Sequence, residues 1–468
     1  MAPQTKTETH TATNTGTNSA ARATTPIETE RRRIAGWGGQ SAEAEERFGE
    51  DLEALSQTMP LLRGLGRSYG DASLPPPSDP RVGNTTLADR LLSFDESSGV
   101  LRAEAGISLI ELNRIFLPHK FFVPVTPGTQ FVTLGGMVAS DVHGKNHHVA
   151  GCFGDHVVGL RMRVGDGRVL DCSRDEHADL FFATLGGMGL TGHILEVSFR
   201  MARVPSCWIL QETEQLPNLD RLLDGLSAAA EGWPMTMAWI DCLTPGAAMG
   251  RGILYRGRWA TADEAPSRPP RPKLRLRVPF NLPSWVMQPL SVRAFNLGVY
   301  YSHFPAQKRG LVSPEQFFYP LDSIRDWNRI YGRAGFTQHQ AVLPHSAGRT
   351  AVRRYMELLT NLRAASFLCV LKDCGPEGSG LLSFPRPGTS IALDLPLRAN
   401  TQEHIDRMNE FVIREGGRIY LTKDSLSRPE HVQAMEPRLS AFRRVRQVWD
   451  PGQRLRSAQS VRLLGDRP

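Results

Sequence analysis

Three polar, glycine-rich segments in the N-terminal half of this 468-residue chain constrain its fold more than any apolar pattern does. The first is Arg63-Gly64-Leu65-Gly66-Arg67-Ser68-Tyr69-Gly70-Asp71. Glycines this dense allow positive φ and close approach of backbone to a ligand, and successive N–H groups in such a turn can converge on an anion. With Arg63 and Arg67 adding charge, a diphosphate is the natural guest; a plain surface turn is the alternative. The second runs through Pro127-Gly128-Thr129, Thr133-Leu134-Gly135-Gly136, Ser140 and Asp141-Val142-His143-Gly144-Lys145-Asn146-His147-His148 to Gly151. Small and hydrogen-bonding residues dominate it, as in a loop wrapped around a polar cofactor. His143 and His147 stand at i, i+4, a metal-ligand spacing on a helix, but Gly144 and its neighbours argue against such a helix, and unliganded loop histidines remain open. The third, Gly186-Gly187-Met188-Gly189-Leu190-Thr191-Gly192, contains a G-x-G-x-x-G match. A dinucleotide loop of the Rossmann type follows a strand and opens a helix. Here a helical pattern precedes the glycines, and a strand-like run, Ile194–Phe199, follows. A tight connection touching a bound cofactor is the better reading.

Around these segments the pattern is α+β. Leu160–Val164 and Arg168–Asp171 flank Gly165-Asp166-Gly167 as a hairpin, and Ser173 with Glu176 forms a capping-box pattern ahead of Ala178, Phe181, Phe182 and Leu185, with Gly186 as the stop. Strands joined in hairpins, not βαβ crossovers, are expected from residue 29 to 203. A second region, 204–415, mixes strands at Thr236–Ile240, Gln340–Leu343 and Ile391–Leu395 with helices near 214–230 and 350–364. Within it, Arg268 to Arg309 holds eight Lys/Arg, many prolines and no acidic residue, and reads as a mobile basic loop. Arg271, Lys273, Arg275 and Arg277 precede the apolar Phe280, Leu282, Trp285, Val286 and Met287, a composition suited to a membrane surface. From 416 the chain returns to a glycine turn, a strand around Arg418–Leu421 and a helix near Glu436–Gln447.

The chain has 40% hydrophobic residues, enough for a large core in two or three domains. The net charge of +7 is modest for this length, and no nucleic-acid-binding module surrounds it. Six cysteines, at 152, 172, 207, 242, 369 and 374, include no C-x-x-C pair. Neither a disulfide framework nor a zinc site is expected, and scattered thiols fit a cytoplasmic protein. Residues 1–28 are too polar to fold and lack the apolar core of a secretory signal, so a disordered arm is expected. No run of about 20 apolar residues is present.

Taken in order, the glycine segments together with Gln316–Asp322, Trp327–Gly335, Ser383–Pro387 and Gly416–Ser425 resemble the vanillyl-alcohol oxidase superfamily. Within it they are most similar to the flavin subunits of decaprenylphosphoryl-β-D-ribose 2′-epimerases. His143-Gly-Lys-Asn-His-His148 and Tyr420-Leu-Thr-Lys-Asp-Ser425 are the most specific stretches. The resemblance implies two domains: one binds FAD and is built from 29–203 and 416–468, and the other, 204–415, covers the flavin ring with an antiparallel sheet. It implies oxidation of the C2′ hydroxyl of a polyprenylphosphoryl ribose to a 2′-keto sugar. A partner reductase then completes epimerisation to arabinose for cell-wall arabinan. An FAD oxidase of a soluble sugar, nucleoside or polyol is the alternative.

Flavin oxidation of an alcohol needs a group to take the hydroxyl proton or to stabilise the alkoxide. Lys423 matches the family's catalytic lysine, with Tyr420 on the same short strand; Lys372 and His143 complete the catalytic set. Tyr69, Lys145, Tyr319, Gln338, Gln340 and Ser390 are the expected substrate contacts, Gln338 and Gln340 sharing one strand face. The expected cofactor contacts are Arg63 to Tyr69, Pro127, Gly128, Thr129, Thr133, Gly135, Gly136, Ser140, His143, Gly144, Asn146, His147, Gly151, Gly189, Gly192, Ile194 and Tyr420. Trp239 packs over a ligand or belongs to the core. Two departures matter. The first glycine loop has no histidine, so the FAD is expected to be non-covalent, and Cys152 is not expected to link it. Ser390 and Ala392 stand where mycobacterial members carry asparagine and cysteine, which alters the pocket and removes a reactive thiol.

Overall fold

A computed structural model describes residues 28–270, 276–364 and 366–468. The disordered-arm expectation for residues 1–27, and Arg271, Lys273 and Arg275, lie outside the described residues.

Three sheets organise the chain. The first, in order Glu28–Ala35, Ser41–Phe48, Arg81–Asn84 and Leu62–Arg63, is antiparallel at its first pair and parallel at the other two. The hairpin-only expectation fails here, because the short helix Leu52–Ser56 lets the chain cross over and return parallel. The second sheet is antiparallel, in order Leu91–Asp95, Val100–Glu104, His193–Arg200, Val157–Arg163 and Val169–Ser173, and contains the expected 165–167 hairpin. Ser173 does accept from the Glu176 N–H at 3.1 Å, but it closes a turn and caps no helix: the helix starts at Ala178 after His177, whose φ is +48°.

The third sheet has eight antiparallel strands: Gln307–Val312, Ile209–Leu216, Gly252–Trp259, Met235–Ile240, Cys369–Cys374, Gly388–Pro396, Phe336–Pro344 and Arg418–Ile419. Helices Leu219–Gly232, Gly348–Asn361 and Thr401–Arg414 bury their apolar stripes on one face of it. The residues 214–216 thus belong to a strand, and the helix begins only where the Asn218 side chain accepts from the Arg221 N–H. The period of two divides the central strands: Ala341 and Leu343 face the helices, whereas Gln338 and Gln340 face the cavity described below. One apolar core runs through the second sheet and continues into Ile209, Met235 and Phe317–Tyr319. Trp239 is a core residue; its indole donates to Phe367 O at 3.0 Å and it packs on Ile253 and Tyr300.

The segment expected as a mobile loop contains regular elements among its described residues. A 3-10 turn at Ser284–Met287, a helix at Pro289–Ser302 anchored by buried Val292, Asn296 and Tyr300, and the edge strand Gln307–Val312 occupy it. At the C-terminal end the strand stops at Ile419, and Lys423 sits in a following turn, its N–H bonded to Tyr420 O. Among the described residues no helix is long and apolar enough to cross a membrane.

Candidate active site

A cavity of about 670 Å³ lies between the glycine segments and the free face of the eight-stranded sheet. That size suits a large cofactor with part of a substrate. One side is backbone. Arg63 to Tyr69, Pro127, Gly128, Thr129, Thr133, Gly135, Gly136, Ser140, Gly144, Gly189, Gly192 and Ile194 all line it. Gly66 and Gly189 take φ of +63° and +77°, which glycine alone adopts without strain. The N–H groups of Gly64, Leu65, Gly66, Arg67 and Ser68 have no partner among the described residues, as a nest for an anionic group requires. The two arginines are themselves tied down: Arg63 donates to Ser73 O and Ala35 O, and Arg67 stacks on Trp37 with its charge 4.1 Å from the ring centroid.

This loop does not stand alone. The Tyr69 N–H donates to Thr422 O, and a Cβ on Gly70 would fall 2.2 Å from Asp424 O. Arg462 holds both carboxylates, Asp71 through two hydrogen bonds (2.8 and 2.7 Å) and Asp424 through one (2.9 Å). The end of the chain thereby fixes the beginning of the site.

The other side carries the ionisable groups. Lys423 Nζ lies 3.9 Å from the centroid of the Tyr69 ring. Burial lowers its pKa to about 8, with the Lys372 charge acting in the same direction and Asp394 opposing. Lys372, within the strand Cys369–Cys374, donates to His143 Nδ1 and, at 3.2 Å, to Gly144 O. Burial depresses the Lys372 pKa and, with the lysine charges nearby, holds that of His143 well below its ordinary value. The neutral imidazole of His143 is thereby favoured, with Nδ1 against Lys372 Nζ and Nε2 3.2 Å from the Gln340 amide nitrogen. Tyr420 lies beside it, ring centroids 5.0 Å apart, its hydroxyl donating to Ser140 O. Lys145, lowered to about 7 by burial, reaches across to Phe317 O.

Five expected contacts stand off the cavity wall. Tyr319 is turned into the core, where its hydroxyl accepts from Asn113. Ser390 lies behind Gln340 and accepts from it at 3.3 Å. Asn146 donates to Pro124 O, His147 accepts from the Gly375 N–H, and Gly151 has φ +69° with Asp155 packed against it. The His143 and His147 rings are 6.3 Å apart, and no group of metal-ligating side chains forms among the described residues.

Asp394 was missed. It is fully buried and takes Gln338 Nε2 at 2.6 Å on one oxygen and the Tyr331 hydroxyl at 2.9 Å on the other. Burial raises its pKa to about 7. A signal existed: in Ile391-Ala-Leu-Asp394 the carboxylate falls on the same strand face as Ala392, which lines the cavity.

A backbone nest on one side and buried lysines with a histidine on the other suit an enzyme that binds an anionic cofactor and accepts a proton from its substrate. The comparisons specify the cofactor: residues 57–173 match the FAD binding domain family. The chain is 32% identical over 92% of its length, and 96% of the relative's, to decaprenylphosphoryl-beta-D-ribose oxidase of Mycolicibacterium smegmatis. It is also 32% identical to an uncharacterized Streptomyces coelicolor protein, over 76% of this chain and all of that one. L-gulonolactone oxidase of Mus musculus matches at 32% over 30% of this chain and 31% of its own. The protein belongs to the decaprenylphosphoryl-beta-D-ribose oxidase family and is an FAD-dependent oxidoreductase acting on CH–OH groups.

Proposed function

We propose that the chain oxidises the C2′ hydroxyl of a polyprenylphosphoryl-β-D-ribose to the 2′-keto sugar, the first step of epimerisation to arabinose, with a separate reductase completing it. The observation that carries this reading is the convergence of Lys423, Lys372, His143, Gln338 and Gln340 on one wall of the cavity, opposite the glycine nest. Residues 29–203 and 416–468 form the FAD domain and 204–415 the covering domain, a division supported by the Arg462 clasp on Asp71 and Asp424. FAD supplies a two-electron acceptor for the carbinol hydride.

The protein's part is position and charge. Gln338 and Gln340, fixed by Asp394 and Ser390, present amides to sugar hydroxyls. Lys423, with a pKa near 8, takes the hydroxyl proton as the neutral amine; the C–H hydride leaves as the C=O bond forms. Lys372 and Lys145 add positive charge where an alkoxide or phosphate is to be held. The flavin is held without a covalent bond: Ser68 and Tyr69 occupy the first loop, and the Cys152 thiol is buried against His147 off the cavity wall. Acid precipitation should leave the yellow colour in the supernatant.

The deciding test is anaerobic. Polyprenylphosphoryl ribose should bleach the flavin and yield a product lighter by two hydrogens in mass spectrometry. Bleaching by a free sugar, nucleoside or polyol alone would assign the soluble-substrate activity instead.

A further inference from the structure

We propose that the face formed by residues 276–304 docks on an anionic phospholipid bilayer and brings the cavity opening to the membrane surface. Fourteen large apolar side chains are strongly exposed among the described residues, and seven of them, Leu276, Phe280, Trp285, Leu290, Phe295, Tyr301 and Phe304, fall in this one stretch. Chance scatter of exposed apolar residues would spread them along the chain.

The helix Pro289–Ser302 shows how the face is made. Its inward stripe carries Val292, Tyr300 and a polar residue, Asn296, whose amide is fully buried between Asp241 and Ser366 O. Its outward stripe carries Leu290, Ala294 and Tyr301, which share one side at i, i+4 and i+11. Leu290 is 82% exposed. An apolar stripe turned to water, on a helix whose hidden side holds an amide, is inverted for a soluble surface. Phe280, Trp285 and Phe304 project separately from the turns on either side and supply apolar tips at headgroup depth.

The charge fits the same surface. The sequence from Arg268 to Arg309 has no acidic residue; of its described cations, Arg277 pairs with Asp326 and Arg309 with Glu212. Arg293 and Lys308 are exposed, and neither has an ion-pair partner among the described residues. Cations free of internal partners beside apolar tips are attracted to acidic headgroups. Apolar tips projecting separately from a helix and its flanking turns fit a deformable bilayer.

The face also adjoins the cavity. Leu276–Arg277 pairs with Ile324–Arg325, and Val278 N and Leu282 N donate to Arg325 O and Arg329 O. Arg277 and Arg325 are both exposed and both line the cavity. A lipid-borne substrate would then pass from the bilayer into the site without crossing water. Only this last consequence rests on the lipid-linked reading of the site.

The test is sedimentation of the full-length holoprotein with phosphatidylcholine vesicles, with and without phosphatidylglycerol. Binding should require phosphatidylglycerol, weaken with salt, and fall about tenfold or more in the Leu290→Glu/Tyr301→Glu variant, with the thermal midpoint unchanged. No sedimentation, or equal sedimentation of variant and parent, would overturn the proposal. So would a dimer in light scattering that the variant abolishes, which assigns the face to a second copy. Turnover of a short-chain, water-soluble phosphoryl ribose separates the two readings. If it proceeds equally in parent and variant while vesicle binding is absent, the docking face alone is wrong. If no such substrate is oxidised, the proposed reaction is wrong whatever the vesicles show.

Discussion

Lys423 sits where three influences meet: burial and the Lys372 charge push its proton off, and Asp394 holds it on. A side chain poised this way changes protonation near neutral pH, as a general base must. Replacing it by methionine removes the amine and keeps most of the volume. The Lys423→Met protein should retain FAD in its visible spectrum while flavin bleaching in anaerobic stopped flow slows by about 10²–10⁴-fold. Asp394 gives a sharper test. An anionic neighbour stabilises the ammonium form, so its loss lowers the lysine pKa. If the neutral amine is the base, the parent's bleaching rate rises with pH through about 8; in Asp394→Asn that rise should move to lower pH. An unmoved profile would reduce Asp394 to a structural support for Gln338 and Tyr331.

At the scale of elements, the glycine segments act through what a side chain would meet. A Cβ on Gly64 would lie 2.2 Å from Thr133 Oγ1, the group that caps the helix Leu134–Ala139. A Cβ on Gly128 would meet no chain atom within 4 Å, yet Gly128 lines the cavity. The two alanine variants should therefore part company. Gly64→Ala should lower the thermal midpoint of the FAD-free protein, at a cost of about 1–3 kcal/mol for the overpacked contact. Gly128→Ala should leave that midpoint alone and weaken FAD binding in a titration of the stripped protein, by about tenfold or more for each 1.4 kcal/mol of lost contact. Among secondary elements, the 268–309 segment departed furthest from expectation. Its prolines and charges read as loop because local composition does not show that Val292, Asn296 and Tyr300 find a buried surface elsewhere in the fold.

Over the whole molecule, the site is an assembly of distant pieces held by few ties. Arg462, near the end of the chain, joins Asp71 of the first glycine loop to Asp424, the neighbour of Lys423. Both carboxylates are almost fully buried, and removing their cation leaves them uncompensated. Arg462→Ala should cost about 3–5 kcal/mol in chemical denaturation, and, unlike an ordinary core defect, it should also release FAD at temperatures where the chain remains folded. Loss of stability with normal flavin retention would show that the clasp serves the fold alone.

The sequence by itself determined the kinds of local structure and the chemistry on offer. Glycine spacing set the turns, as in the 165–167 hairpin and at Gly66 and Gly189. Period two put Gln338 and Gln340 on one strand face. These are short-range matters of φ, hydrogen-bonding capacity and side-chain alternation, which neighbours along the chain decide. Resemblance to a known family, not local physics, singled out the His143–His148 and Tyr420–Ser425 stretches, parts of which line the cavity. Only the tertiary structure decided which of the candidates reach the cavity. Tyr319, Ser390 and His147 were satisfied by partners far away in sequence, Asn113, Gln340 and Gly375, and Asp394 became a partner of the site by pairing in register with Gln338. Burial and charge environment belong to contacts between segments hundreds of residues apart, and no local pattern records them.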